Sequence, residues 1–179
     1  GGASSYALNN FGSGLTLTNN ENGTLSAANT VILGSATSAG GVTINNAGTI
    51  TSGAGTSGTA ISLFGDNNTL NFNTSSLITG GITLESGQTN NILNLLDGTA
   101  ASAVFNNSVT DGGINLLNVD ANDKEWDITG PLTVAGAIHV LSGNVVITGD
   151  VANTGSGATT LDTGSSLSIG DGGTEGSLT

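Results

Sequence analysis

The sequence predicts an all-β fold, a parallel β-helix (β-solenoid) in which short strands stack coil upon coil. Gly, Thr, Asn and Ser supply 30, 26, 22 and 20 of the 179 residues, whereas Glu, Gln and Lys number four, one and one. The good helix formers are therefore nearly missing. Related strings recur along the chain, and apolar residues alternate with polar ones in short stretches. At roughly 22 residues per coil, we expect about eight coils.

The apolar content indicates that the chain folds. Ile, Leu, Val and Phe together make 45 residues, about a quarter of the chain and above the roughly 20% below which disorder is expected. We therefore expect residues 1–179 to form a single β-helix segment. Because the chain starts at Gly1 rather than Met, we expect it to be a fragment of a longer protein.

The charge balance argues against several classes of function. Thirteen acidic residues face a single Lys and no Arg, so the surface cannot neutralise phosphates and we expect no nucleic-acid partner. The longest apolar runs are too short for a spanning helix, so we expect no membrane insertion by this segment. The absence of Cys removes disulfides and thiolate metal sites.

Two repeated motifs indicate a turn followed by a strand. The string NNTLNF at Asn67–Phe72 returns 23 residues later as NNILNL at Asn90–Leu95. The string GGVTI at Gly40–Ile44 returns as GGITL at Gly80–Leu84 and as GGINL at Gly112–Leu116. A Gly or Asn doublet is typical of a turn, and the apolar alternation after it is typical of a half-buried strand.

Alternation within the short apolar stretches predicts where the strands lie and which residues point inward. The predicted strands include Leu15–Thr18, Val31–Leu33, Ile61–Phe64, Ile82–Leu84, Leu132–Val134, Ile138–Leu141, Val145–Ile147 and Leu167–Ile169. The predicted inward residues include Ile44, Ile61, Leu63, Leu70, Phe72, Ile82, Leu84, Leu93, Leu95, Ile114, Leu116, Val134, Val140, Val145 and Ile147.

Repeat equivalence predicts which residues stack between neighbouring coils. Phe72 and Leu95 hold the same position in the repeat, so we expect them to stack. The pair Asn71 and Asn94, like the pair Asn68 and Asn91, should point away from the core or cap the turn. A β-sandwich or a propeller would require longer strands or a recurring aromatic signature, and aromatics make only 3% of this chain.

The segment TAISLFGDNNTLNFNTSSLITGGITLESGQTNNILNLLDG (Thr59–Gly98) resembles the passenger domains of bacterial autotransporters, the type V secreted proteins. The stretches Glu125–Val151 and Leu161–Thr179 are similar to the repeats that precede the translocator in that family, so residues 131–179 are expected to form this part. The resemblance lies in degenerate repeats rather than in invariant residues.

The resemblance implies a right-handed parallel β-helix displayed on the outside of a bacterial cell. It also implies export through the outer membrane by a C-terminal β-barrel translocator in the full-length protein. The expected function is that of a rigid stalk or adhesin in attachment, cell–cell aggregation or biofilm formation. The expected partner is a host or bacterial surface glycan or protein, or a second copy of the chain.

The densest polar cluster is DANDKEWD at Asp120–Asp127, within a predicted acidic loop over residues 120–130. Its four carboxylates could form a calcium loop or a pair for glycoside hydrolysis. However, Lys124 stands at the fifth position, where a helix–loop–helix calcium site requires Asp or Asn, and the Gly required next is missing. The favoured interpretation is a solvated acidic turn between coils, with Trp126 packed beneath it.

Three other candidates are weak. SIGDGGTEG at Ser168–Gly176 matches the calcium nonapeptide in a single imperfect copy and is interpreted as a turn. His139 lies in AIHVL, where alternation predicts an outward position with no His or Cys partner. The sequons at Asn22, Asn67, Asn73 and Asn106 are what an Asn- and Thr-rich sequence produces by chance.

Three functions remain open from the sequence. The leading hypothesis is a non-catalytic extracellular segment with no catalytic, cofactor-binding or metal-binding residues. The second is a self-assembling fibre or surface-layer component. The third is a glycan-active enzyme, which would require carboxylates from separate coils, for example Asp97, Asp120 and Asp150, to converge on one face.

Overall fold

The computed structural model describes residues 6–10, 13–34, 40–85, 87–111, 113–170 and 175–179 and shows a parallel β-solenoid of about seven turns. Within these residues there is no α-helix, and a single 3-10 turn lies at Gly55–Ser57. No helix in the described ranges is long and apolar enough to cross a membrane. The predicted all-β solenoid is confirmed.

The described residues form nineteen strands. They are β1 (Leu8–Asn10), β2 (Thr16–Asn19), β3 (Thr24–Ala27), β4 (Thr30–Gly34), β5 (Thr43–Asn46), β6 (Thr49–Ser52), β7 (Thr59–Leu63), β8 (Thr69–Asn73), β9 (Leu77–Thr79), β10 (Gly81–Leu84), β11 (Ile92–Leu96), β12 (Ser102–Phe105), β13 (Val109–Asp111), β14 (Ile114–Ile128), β15 (Leu132–Ile147), β16 (Asp150–Asn153), β17 (Thr159–Leu161), β18 (Ser166–Ile169) and β19 (Ser177–Leu178).

Each of the first four coils contributes one strand to each of three faces. The first face contains β1, β4, β7, β10 and β13, the second contains β2, β5, β8 and β11, and β3, β6 and β9 begin the third. The long strands β14 and β15 bend around the corners, and each forms most of one coil. The strands β16, β17 and β18 form the seventh coil, each paired with a different part of β15.

All pairs among the described strands are parallel, and in most of them a strand pairs with its equivalent in the next coil. This register brings like residues together. Phe72 pairs with Leu95, and Asn71 pairs with Asn94, as the repeat predicts. A typical inward column on the second face runs from Ile44 through Leu70 and Leu93 to Leu117.

The predicted inward residues are buried with one exception. Leu116 is half-buried, and its neighbour Leu117 is buried instead. The N–H groups of Asn115 and Leu116 both donate to the Asn91 carbonyl, at 2.8 and 3.2 Å. This β-bulge inserts one extra residue, so the alternation after Ile114 changes phase and Leu117 takes the inward position beside Leu93.

The number of coils is about seven rather than the predicted eight. The repeat of 23 residues holds where Asn90 bonds to Asn67, but Asn19 bonds to Thr49 in the adjacent coil across 30 positions. Because the corners differ in length, the average coil is longer than the repeat suggests.

The doublet of glycines in the GGVTI repeat has a steric cause. Gly40 and Gly41 have φ of 80° and 75°, a left-handed region that other residues seldom adopt. A Cβ atom on Gly40 would also overlap the backbone of Asp66 in the next coil. The turn therefore needs glycine both for its backbone angle and for the close approach of the coils.

The third face is interrupted between the third and fourth coils. β9 pairs only with β6, and β12 pairs only with β14. The Asn107 amide bridges the interruption by donating to the carbonyls of Ile78 and Gly80, at 3.2 and 2.6 Å. Inside the interruption, Phe72 stacks on Phe105 with ring centroids 6.3 Å apart.

The bulge at Leu116 predicts different costs for two adjacent leucines. Leu117→Ala should lower the free energy of unfolding by about 2 to 5 kcal/mol, because it empties a buried site. Leu116→Ala is the matched control, and it should cost less than half as much because Leu116 is already partly in solvent. Urea denaturation measures both values, and equal costs would contradict the register described here.

Candidate functional site

The repeated Asn doublets form the corners that precede the second face. Asn67 and Asn90 adopt left-handed backbone angles, with φ of 60° and 61°. Asparagine tolerates this region better than most residues, since its short side chain can bond locally. The second residues of the doublets, Asn68 and Asn91, are buried. The predicted turn-capping role of Asn68 and Asn91 is confirmed, although both lie inside the coil.

The buried amides satisfy backbone groups of neighbouring coils. The Asn68 Oδ1 atom accepts from the Val42 N–H at 3.1 Å, and its Nδ2 donates to the Gly65 carbonyl at 2.6 Å. The Asn91 Oδ1 atom accepts from both the N–H and the Nδ2 of Asn68, at 3.1 Å each. The Asn115 Oδ1 atom accepts from the Asn91 N–H at 2.8 Å. These bonds lock successive corners together.

A second column of amides lies on the outward side of the second face. Asn71 donates to Asn45 at 2.7 Å, Asn94 donates to Asn71 at 2.6 Å, and Asn118 donates to Asn94 at 2.8 Å. We call Asn45, Asn71, Asn94 and Asn118 the asparagine ladder. All four are half-buried, and Asn45 in turn donates to the Thr18 hydroxyl at 3.4 Å.

The asparagine ladder keeps half of its hydrogen-bonding capacity. An amide has two N–H donors and two acceptor lone pairs on its oxygen. In Asn71 and Asn94, the ladder bonds use one N–H and one lone pair each. Within the described residues, these two amides make no further hydrogen bond to the protein. The remaining donor and acceptor are available to a ligand or to water.

A second outward row runs beside the ladder. By register, Thr16 pairs with Thr43, Thr43 with Thr69, Thr69 with Ile92, and Ile92 with Leu116. We call this the threonine row. Its first three members offer hydroxyls, and its last two are half-buried apolar side chains.

The ladder and the threonine row contain no ionisable side chain, although the chain has a net charge of −12. Carboxylates stand at the borders of this surface. Asp66 lies at the corner before β8, Asp97 follows β11, and Asp120 is exposed on β14 just beyond Asn118. The result is a flat, neutral, polar strip with acidic edges.

The acidic segment predicted as a loop over residues 120–130 belongs largely to a strand, because β14 continues to Ile128. The coil turns its corner inside this strand, where Asn122 has φ of 56° and the pairing with β15 shifts between Asp120 and Glu125. The Ser142 hydroxyl donates to Asp120 Oδ1 and accepts from the Asn122 N–H, both at 2.7 Å. These bonds hold the corner against the next coil.

The rest of the segment forms a corner at the surface, with the buried side chain of Trp126 beneath it. Trp126 is only 1% exposed, and its Nε1 donates to the Leu96 carbonyl at 3.3 Å. The predicted packing of Trp126 beneath the corner is confirmed. Lys124 pairs with Asp123 at 3.1 Å, and the hydrogen bond and charge of Lys124 lower the pKa of Asp123 below its ordinary value of 3.8.

Glu125 and Asp127 share a shallow cleft of about 450 Å³ on the third face. Val146, Ser168 and Gly170 complete its lining, and the Thr148 hydroxyl donates to Asp127 Oδ1 at 2.8 Å. Glu125 and Asp127 are two residues apart on one strand, so their Cα atoms are separated by roughly 7 Å. The open cleft lacks the enclosure with which hydrolytic sites exclude water.

The carboxylates named for the enzyme hypothesis do not share one face. Asp97 and Asp120 lie in adjacent coils, where the Asp97 N–H donates to the Asp120 carbonyl at 3.0 Å. Asp150 begins β16, elsewhere on the coil, and accepts from the Ser177 hydroxyl at 2.7 Å. No group of three or more metal-ligating side chains occurs in the described part of the chain.

His139 is half-buried and lies between the buried Ile138 and Val140, so its predicted outward orientation is confirmed. It continues the ladder position, because it pairs with Asn118 and with Thr160. Much of the predicted turn at Ser168–Gly176 lies outside the described residues.

The four sequons occupy different environments. Asn22, Asn67 and Asn106 are exposed, whereas Asn73 is half-buried and donates to the Asp97 carbonyl at 2.8 Å.

Repeat analysis identified only the middle of the asparagine ladder. It paired Asn71 with Asn94 because the strings around them match. Asn45 and Asn118 lie in the related strings TINN and INLLN, where the spacing differs, so direct string comparison missed them. The available signal was an Asn one position after an inward apolar residue in β5, β8, β11 and β14.

The two asparagine columns predict different stability costs. Asn68→Ala should lower the free energy of unfolding by about 1 to 3 kcal/mol, because it leaves buried backbone groups such as the Val42 N–H without a partner. Asn71→Ala is the matched control and should cost less, because water can replace its half-exposed amide. Denaturant unfolding compares the two variants, and a larger cost for Asn71→Ala would contradict these assignments.

The Lys124–Asp123 pair predicts a local titration. Lys124→Met should raise the pKa of Asp123 toward its ordinary value, because the favourable charge and hydrogen bond are lost. A lowered pKa means that the interaction is present above the ordinary pKa and disappears as pH falls through the lowered value. Carboxyl chemical shifts followed by NMR against pH measure the change. An unchanged Asp123 pKa would show that the pair does not form in solution.

No protein-family model, curated protein or solved structure matches this chain. Its function must therefore be inferred from its own residues and contacts.

Proposed function

We propose that the chain is a non-catalytic, extracellular segment of a bacterial autotransporter passenger, which acts as a rigid stalk and adhesive surface in attachment or cell–cell aggregation. The observation that carries this proposal is the neutral polar strip formed by the asparagine ladder and the threonine row. It is long, flat and repetitive, and its amides are fixed by bonds of 2.6 to 2.8 Å. Such a surface suits extended contact rather than catalysis in a pocket.

The stacked architecture supports a stalk role. Seven coils at the usual strand spacing of about 4.8 Å give a body roughly 30 Å long. Backbone bonds in the sheets and side-chain bonds at the corners both cross from coil to coil, so the segment can hold a fixed surface away from its anchor. In the proposed setting, the anchor is the outer membrane of the cell.

The contact chemistry supports adhesion through many weak bonds. Each interior ladder amide keeps one free donor and one free acceptor. A partner that bonds to several of these amides at once binds more tightly than one that bonds to a single amide. The partner under this proposal is a surface glycan or protein. The absence of ionisable groups from the strip means that this contact does not depend on pairing opposite charges.

A second candidate is self-association into fibres or a surface layer. The supporting observation is that ladder amides both donate and accept, so two copies of the strip are chemically complementary. The acidic borders oppose this association at low ionic strength, and salt should relieve the repulsion.

The proposed adhesive surface is tested with beads coated with the protein. Wild-type beads should attach to cells, and Asn94→Asp beads should lose at least fivefold in attachment, because the variant places a charge in the middle of the strip. Thr83→Asp is the matched control, since it adds the same charge to an outward position on the first face. Attachment counted under flow should be unchanged in this control.

Equal attachment of Asn94→Asp and wild-type beads would overturn the proposed adhesive surface. Sedimentation velocity of the same proteins tests the second candidate. A single monomeric species at high concentration and high salt would exclude self-association, whereas concentration-dependent oligomers that Asn94→Asp abolishes would support it.

A further inference from the structure

We propose that the neutral polar strip binds an uncharged, extended polysaccharide that lies along the solenoid axis, with about one sugar facing each coil. This inference rests on the proposed adhesive function and specifies its partner. It follows from the spacing of the strip, its hydrogen-bonding groups, its apolar end and its charge.

The spacing favours a regular linear polymer. Parallel strands lie about 4.8 Å apart, so the asparagine ladder presents an identical amide at each step along the axis. The bonds between Asn45, Asn71, Asn94 and Asn118 fix these amides before any ligand arrives, which reduces the ordering cost of binding. An extended chain of pyranose rings advances by a closely similar distance per ring.

The bonding groups match sugar hydroxyls. A hydroxyl both donates and accepts, and each interior ladder amide retains one donor and one acceptor. Thr43 and Thr69 add hydroxyls in the adjacent row of the same coils. Each step of the strip can therefore pair with a hydroxyl through either a donor or an acceptor.

The apolar end of the threonine row suits the flat face of a sugar ring, which carries C–H groups. Ile92 and Leu116 stand side by side next to Asn94 and Asn118, and both are half-buried rather than covered. Pyranose rings carry C–H groups on their flat faces, and burial of such apolar surface is favourable in water. The strip thus offers both polar and apolar contact within a few coils.

The charge distribution selects against acidic polymers. No cationic side chain lies on the strip, and the single Lys, at the corner that follows Asp120, pairs with Asp123. Asp66, Asp97 and Asp120 border the strip, and charges within about 10 Å of each other are only partly screened at ordinary ionic strength. A uronate or sulfated chain would meet repulsion with no compensating ion pair, whereas a neutral chain would not.

The test is titration of the protein with soluble oligosaccharides, followed by NMR of the side-chain amides. The neutral probes are cellobiose and cellotetraose, and the acidic probe is tetragalacturonate. Cellotetraose should bind at least tenfold more tightly than cellobiose, because it spans the four ladder residues. Its shifts should be confined to the ladder amides. Tetragalacturonate should bind at least tenfold more weakly than cellotetraose.

Variants locate the site. Asn71→Asp should weaken cellotetraose binding at least tenfold, and Thr83→Asp, with the same charge on the first face, should change it less than twofold. Asn71→Ser is a second variant that adds no charge. It should weaken cellotetraose binding by a smaller factor than Asn71→Asp, because only the amide is lost. Circular dichroism of each variant establishes that the β structure is retained.

The outcomes separate this proposal from the adhesive function. Tighter binding of tetragalacturonate, binding independent of oligosaccharide length, or shifts outside the strip would each overturn the neutral-polysaccharide assignment. If beads attach in a ladder-dependent way while cellotetraose does not bind, the adhesive function stands and this assignment fails. If Asn94→Asp beads attach as well as wild-type beads, the adhesive function itself fails.

Discussion

Every coil of this protein must match the coil below it, because parallel strands about 4.8 Å apart share one ladder of backbone hydrogen bonds. Where two strands pair, a side chain therefore meets the equivalent side chain of its neighbour. Apolar columns such as Leu70 on Leu93 satisfy this requirement inside. Amide columns such as Asn71 on Asn94 satisfy it outside, since an amide is one of the few groups that can bond to a copy of itself.

The corners must also match from coil to coil, and there the matching side chains are polar and buried. At each corner, backbone N–H and C=O groups leave the sheets and need new partners. Asn68 and Asn91 supply them, and each also bonds to the next corner, so the caps themselves form a column. The Asn doublets are thus explained by two separate demands: a left-handed backbone at the first Asn and a buried acceptor at the second.

The fold and much of the core could be predicted because alternation and repetition are local properties of the sequence. The pairing of Phe72 with Leu95 followed from matching strings alone. The bulge at Leu116 could not be predicted, since it depends on two N–H groups that share the Asn91 carbonyl of the preceding coil. The full asparagine ladder was missed for a related reason: corners of unequal length hide the equivalence of Asn45 and Asn118 until the coils are aligned in space.

The interruption of the third face has a mechanical consequence. Tension applied along the axis pulls adjacent coils apart and loads all the sheets that join them. Between the third and fourth coils, the first and second faces are joined by β7–β10 and β8–β11, but β9 and β12 share no ladder. The amide of Asn107 and the stacked rings of Phe72 and Phe105 carry the load on that side. Under tension, the third and fourth coils can therefore separate first on the third face, so that the solenoid bends at this point.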